Sequence, residues 1–180
     1  MSNNRLYDAL IHWHINSHPS YLAENHPNQS SDTQLHLLIN KLLIPIELEF
    51  GLVSISYGFT SYPLMRWIQK YYPGNTAPKI DQHAAMEINT HENRICKRDG
   101  AACDFIVEGY ESNMGEIANF ICTNLKFDRL YFYGKSKPIH ISIGPNNTRY
   151  ALIRKTRDDG VRVNTKSAKG DAARTLFDNL

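Results

Sequence analysis

Three strand-like runs follow one another late in this chain with no helical pattern between them: FDRLYFYG, PIHISIG and TRYALIRKT. Their β-branched and aromatic residues suit a pleated, half-buried surface. Upstream, helical and strand periods take turns. Residues 4–15 suit a short helix, and NSHPSYLAENHPNQSSDT, punctuated by Pro19 and Pro27, reads as a loop. Asp32 or Thr33 can cap a helix in which Leu35, Leu38, Ile39, Leu42 and Leu43 recur at helical spacing, with Pro45 marking a kink or an end near Leu43. LVSISYGF alternates as a strand. SYPLMRWIQKYYP follows as a helix, with Pro63 in its first turn and Pro73–Gly74 as its stop. GAACDFIV reads as a strand of small residues, and MGEIANFICTNL as an amphipathic helix with Ile117, Phe120, Ile121 and Leu125 on one side. Helix, strand, helix, strand, helix and then three strands predict an α+β domain, its helices packed on a mainly antiparallel sheet.

The 180 residues fit one domain with a single core. We expect an N-terminal extension over residues 1–32, a core over 33–157 and a polar basic tail over 158–180. Hydrophobic residues make up 42% and charged residues 21%, which favours a folded chain over a disordered one. A net charge of +2 gives no reason to expect nucleic acid. Residues 151–180 are more basic and could meet phosphates, but a solvated face is the plainer reading. No apolar run approaches the ~20 residues that span a bilayer, so no membrane partner is expected. The N-terminus has no signal-peptide apolar core, and a cytoplasmic protein is the expectation. Cys96, Cys103 and Cys122 lack paired spacing and suit reduced thiols.

Several polar residues interrupt apolar stretches. His12 and His14 are expected on a helix or loop, in surface or cap roles. His83 and Glu87 are four apart and would share one face of a helix, where they could hold a divalent metal. His140 sits within PIHISIG, on the face shared by Pro138 and Ser142. Asp104 lies in an apolar strand, and a buried ionised carboxylate needs a partner: a metal, His140 or Lys97.

The order of these motifs resembles the D-Ala-D-Ala carboxypeptidase family of zinc peptidases of bacteria and phages, which shares its fold with the Hedgehog signalling domain. ISYGFTSYPL is similar to the family's SGYRS-like turn, with Gly58, Phe59, Thr60 and Ser61 in the turn. In ICKRDGAACDF, the residues Lys97, Gly100, Ala102 and Asp104 occupy the positions of the family's HxxGxAxD motif. Phe127 to Gly134 is similar to FDQLIxE, and PIHISIG places His140 where the family has its last zinc histidine. The resemblance spans roughly residues 33–145. It implies a zinc ion on two histidines and an aspartate with one position open for water, a general base, and a turn arginine that steadies negative charge.

Three positions depart from that pattern. Lys97 stands for the first zinc histidine, Thr60 for the turn arginine, and Pro138 for the residue that is histidine or glutamate in many relatives. The expected function is therefore a degenerate zinc-peptidase-like domain that has lost peptidase activity and binds a small anionic ligand, or a protein or peptide partner, in its cleft. No cofactor is then expected. Lys97 would pair with Asp104 in the old metal position, and Arg98, Arg129 and Arg149 would form an anion pocket. The alternative is a zinc-dependent peptidase or amidase with an exchanged ligand: Asp104 and His140 hold the metal with His83, His91 or Cys96. A metal-free acid–base role for Lys97, Asp104 and His140 is a third reading.

Overall fold

Alternation along the strands sorts the sheet into two faces. The computed structural model describes residues 2–75 and 81–178. Its strands are β1 (Val53–Tyr57), β2 (Ala101–Val107), β3 (Arg129–Phe132), β4 (Ile139–Ile143), β5 (Tyr150–Thr156) and β6 (Arg162–Ala168). They form one six-stranded sheet in the order β1-β2-β4-β3-β5-β6. Every pairing is antiparallel except that of β3 with β5. Cys103 and Phe105, Leu130 and Phe132, Ile139 and Ile141, and Ala151 and Ile153 point to one face and are buried. Helices cover that face with Leu35, Leu38, Ile117 and Ile121. The chain is thus a single α+β domain. The intervening residues, Asp104, Tyr131 and His140 among them, belong to the opposite face.

The helices follow the apolar spacing, with one earlier start and one local irregularity at the proline expected to kink or end its helix. The helix α3 (Gln29–Leu38) starts earlier than expected, because the side chain of Asn28 accepts from the amide of Ser31 and caps it. Pro45 does not end the helical run: a five-residue π turn over Ile39–Leu43 carries it into α4 (Ile44–Phe50). A proline at 45 offers no amide to the carbonyl of Lys41 and crowds it, and a widened turn absorbs both defects. Leu38, Ile39, Leu42, Leu43 and Ile46 all remain fully buried across the junction. The helix α5 (Tyr62–Tyr71) buries Leu64 and Ile68 against Trp13 and Tyr21 in a second apolar cluster. The helix α6 is Met114–Asn124.

Described segments of the first and last helical and strand elements join the core. Leu6 and Leu10 of α1 (Ser2–His12) are fully buried within it. A short α2 (His14–Ser17) follows. Within the stretch 158–180, expected as a polar basic tail, the described residues supply β6, a 3-10 turn over Gly170–Thr175, and the buried Ala173 and Phe177. The Phe177 ring meets Phe132 edge-on at 5.4 Å. The strand β6, RVNTKSA, pairs with β5 at the edge of the sheet and leaves most of its side chains exposed, so it carries no apolar alternation. No helix among the described residues is long and apolar enough to cross a membrane.

Candidate metal centre

Cross-strand register assembles the polar face. Asp104 on β2 lies opposite His140 on β4, and His140 lies opposite Tyr131 on β3. Tyr57 at the end of β1 is the partner of Asp104 on the other side. The four residues form a row across the sheet. Nδ1 of His140 is 2.8 Å from Oδ1 of Asp104. The Tyr131 ring stacks on the His140 imidazole, centroids 4.8 Å apart and planes 13° apart, and holds it flat.

The third member comes from outside the sheet. Nε2 of His83 lies 3.2 Å from the same Asp104 oxygen. His83 sits in a 3-10 turn over Gln82–Ala84 that Asp81 caps, its side chain accepting from the amide of His83. Nδ1 of His83 is 3.1 Å from the Gly58 carbonyl, which leaves Nε2 facing Asp104. The amide of Thr60 donates to the carbonyl of His83 at 3.0 Å, so the turn after β1 and the His83 turn fix each other. The N-terminal segment braces this turn in its own right. The Phe59 carbonyl accepts from Trp13 Nε1 at 2.7 Å and from Asn25 Nδ2 at 2.9 Å.

His83 reaches the site because the chain makes an excursion and returns. Ile88 and Arg94 form an isolated bridge, and the amide of Ile95 donates to the carbonyl of Glu87 at 3.0 Å. Glu87 does not share a helix face with His83; its carboxylate accepts from the amide of Asn28 and the hydroxyl of Ser31. Gly100 then leads into β2 at φ +119°, packed so close to β4 that a Cβ there would lie 1.8 Å from the Ile143 carbonyl oxygen. Gly100→Ala combines a backbone clash with a left-handed φ. We expect it to destabilise the chain by about 3 kcal/mol or more, read as a drop in the denaturation midpoint. A loss under about 1 kcal/mol would mean that the β2–β4 contact is not this tight.

Charge and burial shape the cluster. Burial disfavours a charge on His83, but the carboxylates of Asp81 and Asp104, together with the contacts to Asp104 and Gly58, outweigh it and hold the imidazole pKa up to about 9. Burial likewise works against charge on Asp104, but His83 and His140 hold its carboxyl well below the usual carboxylate range. Nε2 of His140 is buried and has no hydrogen-bond partner among the described residues. The ligand atoms of Asp81, His83 and His140 lie within 4.8 Å of one another.

Imidazole nitrogens and carboxylate oxygens are ligand types that zinc takes, and Asp104 adjoins the Asp81–His83–His140 group by contacts to both histidines. Two ligands each 2.0–2.1 Å from a tetrahedral ion lie about 3.3 Å apart, close to the 3.2 Å between His83 Nε2 and Asp104 Oδ1. The Asp81 and Asp104 carboxylates both face the buried His83 imidazole, at 3.8 Å and 3.2 Å from its Nε2. Above the cluster opens a cavity of about 460 Å³, also lined by Trp13, His18 and Tyr133.

The expected site residues divide. Asp104 meets His140, one of the three partners that the sequence left open for it, and His83 joins them. Lys97 is exposed on the loop before β2 and does not line the cavity. His91 is exposed, and neither it nor Cys96 belongs to the cluster. The three arginines expected as an anion pocket are engaged elsewhere. Arg98 donates to Gln82, Arg129 lies over the Tyr150 ring, and Arg149 donates to the Cys122 carbonyl. None of them lines the cavity; Arg154 and Arg162 do. Thr60 is buried beside the cluster without lining the cavity.

No family model, curated protein or solved structure matches the chain.

Proposed function

We propose that this chain is a metal-dependent hydrolase of peptide or amide bonds. His83, Asp104 and His140 are the protein ligands of a zinc ion, and the Hedgehog/D-Ala-D-Ala peptidase fold is the frame. One observation carries this reading: two histidines and an aspartate from three separate segments converge on one point of the sheet's polar face. Under it, Lys97 only coincides with the family motif, and His83 fills the first histidine's role. A zinc ion held there would supply Lewis acidity and would lower the pKa of a bound water. Gly58 and Tyr131 orient the two imidazoles. Asp81 lines the cavity with its oxygen 3.8 Å from His83 Nε2. Under this reading Asp81, itself within ligand distance of the two histidines, would be the group that takes up a proton, since Pro138 offers none.

A second reading keeps the cleft without the reaction: a degenerate domain that binds an anionic ligand or a partner. Thr60 and Pro138 favour it, since neither offers the charge or the base of the residue it replaces. Metal analysis followed by hydrolysis of N-acylated peptides separates the two. One equivalent of zinc, with cleavage that Asp104→Ala and His140→Ala abolish, supports the hydrolase. One equivalent of zinc with no cleavage leaves the binding reading. Failure to retain any metal at micromolar zinc sinks the hydrolase.

A further inference from the structure

The β5–β6 hairpin carries two arginines into the cleft, and a bulge puts them there. Ile153 pairs with Lys166, yet Arg154 pairs with Asn164, so Thr165 is an extra residue in β6. Without that residue Asn164 and Arg162 would take the opposite face from Arg154, because side chains alternate. With it, Arg162 and Arg154 become diagonal neighbours on the polar face. Both guanidiniums gather at one ring, 5.9 Å and 4.9 Å from the Tyr133 centroid. Both line the cavity that holds the His83–Asp104–His140 cluster.

The pair is not spent on carboxylates. Arg157 and Arg174, from the same C-terminal segment, are paired with Asp159 and Asp171. Neither Arg154 nor Arg162 has a carboxylate within 4.0 Å among the described residues. Arg154 hydrogen-bonds Tyr133, but its Nε is buried with no hydrogen-bond partner among the described residues. A buried guanidinium nitrogen without an acceptor is costly, and a planar oxyanion accepts from such a fork in two places.

We infer that Arg154 and Arg162 form an oxyanion-binding subsite at the side of the cleft, which takes a carboxylate or phosphate group carried by the ligand. The subsite rests on the metal-site reading only for its place beside a reacting bond; anion binding itself does not need the metal. It also restores to the cleft, from the far end of the sheet, a positive charge that Thr60 does not provide.

The test uses the full chain after chelation, titrated calorimetrically with inorganic phosphate and separately with acetate. At least one of the two should bind, and Arg154→Gln with Arg162→Gln should weaken it at least tenfold. Arg162→Gln alone, at an exposed position, should weaken it by about threefold without changing the melting temperature. Arg157→Gln on the same hairpin should have no effect. Binding of phosphate alone assigns a phosphate-bearing ligand, and binding of acetate alone a carboxylate. Wild-type protein that binds neither at 10 mM (about tenfold above a millimolar Kd), or an Arg157→Gln loss equal to that of the pair, overturns the subsite. Zinc uptake is measured on the same samples. Anion binding without zinc uptake supports the subsite while removing the metal reading.

Discussion

His83→Ala should empty the metal site, and Lys97→Ala should leave it full. Wild-type protein passed through gel filtration at low zinc should retain close to one equivalent. On the proposed zinc reading, removing the His83 imidazole leaves Asp81, Asp104 and His140 around the site, and affinity should fall on the order of a thousandfold, about 4 kcal/mol. Lys97 is exposed and lies outside the cavity, so its removal changes no ligand. Circular dichroism on both variants separates metal loss from unfolding, since His83 is buried and its turn contacts the backbone of Gly58 and Thr60. Retention of zinc by His83→Ala, or its loss in Lys97→Ala, would falsify this assignment of the ligands.

The second large effect concerns the metal-free protein and pH. His83 has a folded pKa raised to about 9 from an ordinary 6.5. A raised pKa contributes stability that is complete below the unfolded value and is lost as pH rises through the folded one. Chelated protein should therefore lose up to about 3 kcal/mol between pH 6.5 and pH 9, at 1.36 kcal/mol per unit. For a chain of this size that is a fall of about 6–12 °C in melting temperature. Asp104 acts with the opposite sign. Its depressed carboxyl contributes stability present above the ordinary carboxylate pKa of about 4, lost as pH falls below it. The metal-free chain should be most stable between these limits, in mildly acidic solution. His83→Gln, neutral throughout, should flatten the alkaline side. Thermal melts from pH 6 to pH 9.5 that showed no slope in wild-type protein would mean that His83 is not held charged.

The sheet was legible because five of its strands alternate or run apolar, and period two is a strong signal. The row of Asp104 and His140 was legible for the same reason: each is a lone polar group in an apolar strand, and adjacent antiparallel strands bring such positions opposite one another. His83 was harder. A fixed spacing of seven residues pointed from Asp104 to Lys97, whereas the histidine that contacts Asp104 lies across the loop closed by Ile88 and Arg94. A search that let the gap lengthen at a polar stretch such as INTHENR would have reached it. Arg154 and Arg162 gave no linear signal. Their shared face depends on one extra residue in β6, and nothing in RVNTKSA distinguishes a bulge from a regular strand. Arg129, by contrast, does lie on the polar face of β3. Its side chain turns to Asp128 and the Tyr150 ring instead of the cleft, and that choice of rotamer has no trace in the sequence.

The pinched loop between Glu87 and Ile95 has a practical consequence. Its two ends are already joined by a backbone hydrogen bond, so a cut at its tip divides the chain into two pieces that still belong side by side. One piece would carry His83 and the other Asp104 with His140. Neither piece alone would hold a complete set of ligands. Such a split pair should reassemble more tightly with zinc than without it, which would make the metal a glue whose strength could be titrated.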